Sequence, residues 1–290
     1  SKPALKTRDG KPIGQDDFGL AALDLSMDAP KPAPAASDGL DGSPMALPHL
    51  PRKLLAPGTV RRFTGLAAAV VRLASRIRKG KFDLVHANTT LAQIWSGPAA
   101  LLAGVPCVWH WRDFYDVPWL NRALRRTSVA MVAVSEAVYE FAARQVGSED
   151  RLVLIANGVE DRWAGDDSRS RLAARERWGL DEEHVLVAFV GQAIPRKGHE
   201  VLVRAMARAS GASPALRAVI LSHGVDGASA AHMGSVRRMA EDLGCTSCVR
   251  FADRSHDAVS LLAAADIVAV PSLREPFGRV AVEGMLASRP

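Results

Sequence analysis

Two glutamates eight positions apart, Glu275 and Glu283, belong to the stretch Pro271-Ser-Leu-Arg-Glu-Pro-Phe-Gly-Arg-Val-Ala-Val-Glu283. At that separation the carboxylates cannot share one proton as a dyad, but each can accept hydrogen bonds from a different set of hydroxyls. Pro276 fits a first helical turn, where its missing N–H costs nothing. A helix starting near Phe277 would leave the amides of Phe277, Gly278 and Arg279 as donors at its positive end, a site suited to a phosphate. A bare pair of glutamates at this spacing is more often a solvated pair on a capped helix, because short patterns arise easily. A second stretch, Val190-Gly-Gln-Ala-Ile-Pro-Arg-Lys197-Gly198, joins a strand to a helix start and brings the Lys197 ammonium to another anion-binding end. It is not a Walker A loop, since no Gly-Lys-Ser/Thr is present.

Such loops need a frame to hold them. Leu66, Val70, Leu73 and Ile77 recur at helical spacing and Gly80 supplies a stop. Then come a strand over Phe82–His86, a helix over Leu91–Ala103 closed by Gly104, strands over Pro106–His110 and Val129–Val134, a helix over Ser135–Gln145 and a strand over Arg151–Ile155. The charged stretch Asp161–Glu183, holding a helix over Ser168–Trp178, interrupts the alternation. It resumes with strands over Val185–Val190, Ala218–Ser222, Cys248–Phe251 and Ile267–Val270. Between them lie helices over Gly198–Arg208, Ala230–Leu243 and Ala258–Ala265. This alternation predicts an α/β fold of two doubly wound parallel sheets, with a boundary near Asp161 and ligands beyond the carboxyl ends of the strands. Residues 1–58 hold nine of the seventeen prolines and read as largely irregular, with Phe18–Leu25 the one candidate element.

The strand over Ile267–Val270, the Pro-Ser turn and Glu-Pro-Phe-Gly ahead of an apolar helix resemble the E-x7-E motif of the retaining glycosyltransferases of family 4. That resemblance implies a GT-B fold, two Rossmann-like domains facing a cleft. Residues 59–160 would form the acceptor side and 161–290 the donor side, both incomplete. It implies that Glu275 contacts the transferred sugar, Glu283 the ribose and the Phe277–Arg279 amides the diphosphate. The loop after Val190 is similar to the family's Gly-Arg-x4-Lys-Gly loop, matched at Gly191 and Lys197. Gln192 stands where the family has Arg, and Arg196 would partly replace the lost charge. At the strand end Val108-Trp-His110-Trp-Arg-Asp113, His110 matches a histidine that contacts the donor sugar. His110, Lys197 and Glu275 form the implied catalytic set. His86, Asn88, Asp113, Ser135 and Asn157 lie in or beside strand ends that resemble cleft-lining ones. The likeness runs from about Phe82 to Pro290. The family's Gly-rich first loop, an initiating Met and the returning C-terminal elements are missing, so a fragment of a longer product is expected.

The implied reaction passes a sugar from a nucleoside diphosphate sugar to an acceptor hydroxyl with retention, without metal or other cofactor. Two rivals stand beside it: an epimerase or hydrolase of sugar nucleotides on the same fold, and a non-catalytic nucleotide-sugar-binding fragment. The expected partners are a nucleotide sugar and a sugar or lipid-linked acceptor. Composition fits an ordinary globular protein, with 48% apolar and 23% charged residues in a chain of 290. No run of 18 apolar residues occurs, Ser1–Leu40 lacks the continuous apolar core of a signal peptide, and three cysteines suit a reducing cytoplasm, so a cytoplasmic location is expected. The charge of +6 does not point to nucleic acid, because the aromatic residues do not interleave with a basic cluster. Cys245-x-x-Cys248 has no second pair, the eight histidines lack metal-ligand spacing, and no GxGxxG of a dinucleotide-binding dehydrogenase occurs. The helix Arg61–Lys79 carries Arg72, Arg76 and Lys79 on one face. That face reads first as the solvated side of a domain helix packing on its sheet, with peripheral contact with an anionic membrane, at its inner face, as the functional alternative.

Overall fold

The computed structural model describes residues 59–162, 168–224, 227–252 and 257–290, with side chains from residue 67 and, in the second of these ranges, from residue 171. The irregular segment 1–58, including Phe18–Leu25, lies outside the described residues. Contacts divide the chain into two compact units. The first holds the described residues up to His110 together with Val117–Met131 and Gln145–Arg151; the second holds Trp111–Asp116, Val132–Arg144 and Leu152–Pro290. Among the described residues no helix is long and apolar enough to cross a membrane.

The elements in chain order begin with α1 (Thr59–Lys79), β1 (Val85–Ala87), α2 (Thr90–Ala103) and β2 (Cys107–Trp111). Then follow α3 (Pro118–Arg125), β3 (Ala130–Ala133), α4 (Glu136–Val146) and β4 (Leu152–Leu154). In α1, Ala69, Val70, Ala74 and Ile77 are buried on one stripe, while Arg72 and Lys79 are exposed. The helix ends at Lys79, directly before Gly80, and Lys81 takes a left-handed φ of 53°. Helix α2 is closed at both ends by its own sequence: Thr89 accepts from the Ala92 amide at 3.0 Å, and Gly104 adopts φ 71°. Helix α3 was not visible in the sequence pattern. It is eight residues long, opens on Pro118, and buries only Asn121 and Leu124, too short a stripe to show periodicity. The first sheet has the order β1-β2-β3-β4, and β1 runs parallel to β2 with Val85 opposite Cys107.

The second series is α5 (Ser168–Arg177), β5 (Val185–Gln192), α6 (His199–Ser210), β6 (Leu216–His223) and α7 (Gly227–Asp242). It ends with β7 (Val249–Ala252), α8 (Ala258–Ala264), β8 (Ile267–Val268) and α9 (Arg279–Leu286). The sheet order is β7-β6-β5-β8, all parallel. Alternate residues of β5 and β6 feed two separate cores. Leu186, Ala188, Val219 and Leu221 pack with Leu261 and Leu262 of α8 on one face; Val187, Phe189, Ala218 and Ile220 pack with Val203, Met206 and Val236 on the other. The chain steps outward from β5 through β6 to β7, then returns to the opposite side of β5 for β8. The order therefore reverses between β5 and β8, and in sheets of this kind the crevice at the carboxyl ends there is where ligands sit.

Candidate functional site

At that reversal the second unit has a cavity of about 410 Å³, reached by the carboxyl ends of β5 and β8. Gly191 and Gln192 end β5 there. Gly191 is buried, and a Cβ on it would come within 3.2 Å of the Phe189 ring, so the backbone rather than a side chain forms that wall. Gln192 is exposed and stands opposite His223, the last residue of β6, which also lines the cavity. The chain then makes a short 3-10 turn, Pro195–Lys197, ending at Gly198 with φ 76°. A Cβ on Gly198 would lie 2.0 Å from the Pro271 carbonyl oxygen. Glycine is required here twice over, by the left-handed backbone and by the passage of the second loop against it.

The two loops identified separately in the sequence meet across this contact. Lys197 Nζ lies 2.7 Å from Glu275 Oε2, with both side chains mostly covered (19% and 24% exposed). The Ser272 hydroxyl donates to the same carboxylate oxygen at 2.9 Å. Burial alone would raise the Glu275 pKa, but the hydrogen bonds from Lys197 and Ser272 and the charges of Lys197 and Arg196 hold it below the ordinary glutamate value. Arg196 clamps the loop a second way, donating from Nη1 to the Arg274 carbonyl at 2.8 Å and accepting from the Leu273 amide at 2.9 Å.

The helix start differs from expectation. Helix α9 begins at Arg279, not near Phe277, because its N-cap Gly278 takes φ 82°, which no helix interior accommodates. Pro276 consequently lies in the loop rather than in the first turn. The donors at this end still include Phe277, Gly278 and Arg279, and Val280 joins them: among the described residues none of these four amides has a backbone acceptor. Glu283, one turn into α9, pairs with Arg279 at 3.2 Å; its own side chain is 21% exposed while that of Arg279 is 61% exposed. Gly284 packs directly on Val268, a Cβ there falling 3.1 Å from the valine side chain, so α9 is fixed against β8.

Of the residues named from the sequence, Gly191, Gln192, Arg196, Lys197, Glu275 and Phe277 line the cavity, as do Gly278, Arg279, Glu283 and Asn157. Ser135 is not in the lining but touches its wall, donating its hydroxyl to the Pro276 carbonyl. Asp113 is half-buried and outside the lining. In the first unit, His86 in the middle of β1 and His110 next to the end of β2 stack with ring centroids 5.3 Å apart, and His86 Nε2 comes within 3.3 Å of His110 Nδ1. Asn88 is exposed one residue beyond β1. Of the polar lining residues, three were missed: Arg112, His223 and Ser272. Only Ser272 left a local signal, its hydroxyl standing three positions before Glu275.

The family model described as Glycosyltransferase Family 4 matches residues 29–163, and that described as Glycosyl transferases group 1 matches residues 170–290. The D-inositol 3-phosphate glycosyltransferase of Salinispora arenicola is 32% identical over 273 residues, an alignment covering 81% of this chain and 57% of that protein. Its counterpart in Rhodococcus opacus is 31% identical over 257 residues, covering 77% and 54%. The chain thus spans a little over half the length of these relatives. The fold is similar to that of Anabaena HepE, solved in complex with UDP-glucose, with a TM-score of 0.68 and 23% identity over 76% of this chain and 61% of that one.

Proposed function

Because this chain belongs to the glycosyltransferases of the GT-B fold, we propose that it carries the donor site of an enzyme moving a sugar from a nucleoside diphosphate sugar to an acceptor hydroxyl. The observation that supports this most is the Lys197–Glu275 pair, set 2.7 Å apart in a cavity that the Phe277–Val280 segment also lines. It puts a cation for the departing diphosphate next to a carboxylate for sugar hydroxyls. As the bond from sugar to diphosphate oxygen breaks, negative charge grows on that oxygen. The Lys197 ammonium, the Arg196 and Arg279 guanidinium groups and the free amides stabilise it in place, without a proton transfer. That supply of fixed positive charge is the ground for reading the reaction as metal-independent and without cofactor. Glu283 accepts from the ribose hydroxyls, and His110 serves the sugar. The anomeric configuration is retained, with no protein nucleophile assigned.

The acceptor in this reading is a sugar or a lipid-linked molecule. The protein works in the cytoplasm, with the exposed Arg72 and Lys79 of α1 against an anionic membrane surface. Co-sedimentation equal for neutral and anionic vesicles would remove that contact. A purely binding role is favoured by one observation, Gln192 in place of a cation at the phosphate end. Product analysis with and without acceptor separates it from transfer and from hydrolysis.

Calorimetric titration with UDP and UDP-glucose tests the site. Glu283→Ala is expected to weaken both by about 1.5–3 kcal/mol, the worth of hydrogen bonds to a charged group. Glu275→Ala is expected to spare UDP and weaken UDP-glucose. Unchanged affinity for both ligands in Glu283→Ala would remove this residue from the site.

A further inference from the structure

The loop that carries Glu275 is gripped on both sides by segments far away in the chain. Immediately before it, the Arg274 guanidinium lies 3.9 Å over the Phe114 ring and 4.8 Å from the centre of the Phe141 ring. Those rings are themselves fixed: Phe114 meets Phe141 edge-on at 5.3 Å, and Phe141 meets the fully buried Trp111 edge-on at 6.0 Å. Immediately after it, the Pro276 carbonyl accepts from the Ser135 hydroxyl. Ser135 is in turn held at the start of α4, where its oxygen accepts from the Val138 amide at 3.2 Å. Glu275 therefore has a clamp at each neighbouring residue, while its own carboxylate is taken by Lys197 and Ser272. All of these groups belong to the second unit.

We infer that Arg274 and Ser135 are positioning residues for Glu275, with Phe114 and Phe141 as the platform on which Arg274 stands. An isolated Arg over a ring is worth little, but here one guanidinium faces two rings already locked by a third. The loop has no regular secondary structure of its own between β8 and α9, so its shape depends on such side-chain anchors. Arg274 and Ser135 lie outside the cavity lining and act on Glu275 through the backbone on either side of it. The assignment rests on the donor-site reading above for what Glu275 binds, though not for the clamp itself.

Hydrogen exchange without any ligand reads the clamp directly. In Arg274→Ala the amides of residues 272–283 are expected to exchange faster while those of β5 and β6 are unchanged, and Arg274→Lys, which keeps a cation over the rings, is expected to restore most of the protection. Titration reads the consequence. Arg274→Ala, Phe114→Leu and Ser135→Ala each weaken UDP-glucose by roughly three- to thirtyfold and leave UDP within about twofold. The double variant Arg274→Ala with Phe114→Leu is no weaker than the worse single one, because both remove the same contact. Unchanged exchange over 272–283, additive losses in the double variant, or equal weakening of both ligands would overturn the assignment. Faster exchange in a protein whose wild type binds neither nucleotide would leave the clamp standing and refute the donor-site reading instead.

Discussion

The two parallel sheets solve the same packing problem by different means. The second joins β5 and β6 through eight consecutive register pairs and encloses two apolar cores, with Leu186, Ala188 and Ile220 inaccessible to solvent. In the first the strands are only three to five residues long, and the burial beside them is partly polar. Gln93 is fully buried on α2, donating from Nε2 to Thr127 at 3.0 Å and to Ser128 at 2.8 Å, while the Cys107 thiol donates to its Oε1 at 3.3 Å. Asn121 and Gln145 are joined in the same way at 2.9 Å. Long apolar strands give a stiff edge on which loops can be placed closely. Short strands need directional bonds to set how their helices sit, and a buried polar network specifies geometry only while every member is satisfied. The cavity lies at the stiff edge.

Three experiments sharpen or break that contrast. The largest effect is expected at the stiff edge itself. Gly198→Ala places a Cβ 2.0 Å from the Pro271 carbonyl at a φ of 76°, and both strain and overpacking apply. A loss of about 2–5 kcal/mol in denaturant unfolding follows, together with loss of nucleotide binding. A mild loss with binding intact would mean the two loops give way more easily than this packing implies.

The second concerns pH. His199 is fully buried, its Nε2 2.8 Å from the Ser222 hydroxyl and its Nδ1 3.3 Å from His232 Nε2. Burial, then the neighbouring His232, lowers its pKa from 6.5 to about 4. The folded protein keeps it neutral where the unfolded chain takes up a proton, so stability falls as pH drops from about 6.5 towards 4 and this contribution stops changing below that. Glu275 adds a loss at still lower pH, since its folded pKa lies below the ordinary 4.5. Denaturation midpoints across this range are expected to be flatter in His199→Gln than in the wild type. Identical slopes would place the acid sensitivity elsewhere.

The smallest effect belongs to the polar network. Gln93→Leu keeps the volume but strands the Thr127 and Ser128 oxygens as acceptors, and a loss of about 1–3 kcal/mol is expected. Both hydroxyls can still donate to the Leu124 carbonyl, which limits the damage. A neutral or stabilising result, read from thermal unfolding, would show that the first sheet is held by shape rather than by these bonds.

Much of the architecture was legible because it is written in local pattern. Helix α2 announced its closing Gly104 though not its Thr89 cap, and β5 and β6 showed as apolar runs, though pairing carries each a residue or two past an end of the run because pairing, not hydrophobicity, ends a strand. Helix α3 was missed for want of a stripe, and the start of α9 was set two residues early. Pro276 is a permitted first-turn residue, and nothing local says that Gly278 will use its left-handed freedom.

By itself the sequence determined which residues could do chemistry here. A Lys-Gly turn after an apolar strand and a Glu-Pro-Phe-Gly ahead of an apolar helix are local facts, carried by neighbours within one or two turns. Tertiary structure alone decided that Lys197 and Glu275, 78 positions apart, share one hydrogen bond, that Arg274 rests on Phe114 and Phe141, and that Arg112 and His223 join the same wall. Those meetings depend on the reversal of strand order between β5 and β8. That reversal comes from which faces the crossover helices can bury, a balance summed over the whole sheet and visible in no short stretch of residues.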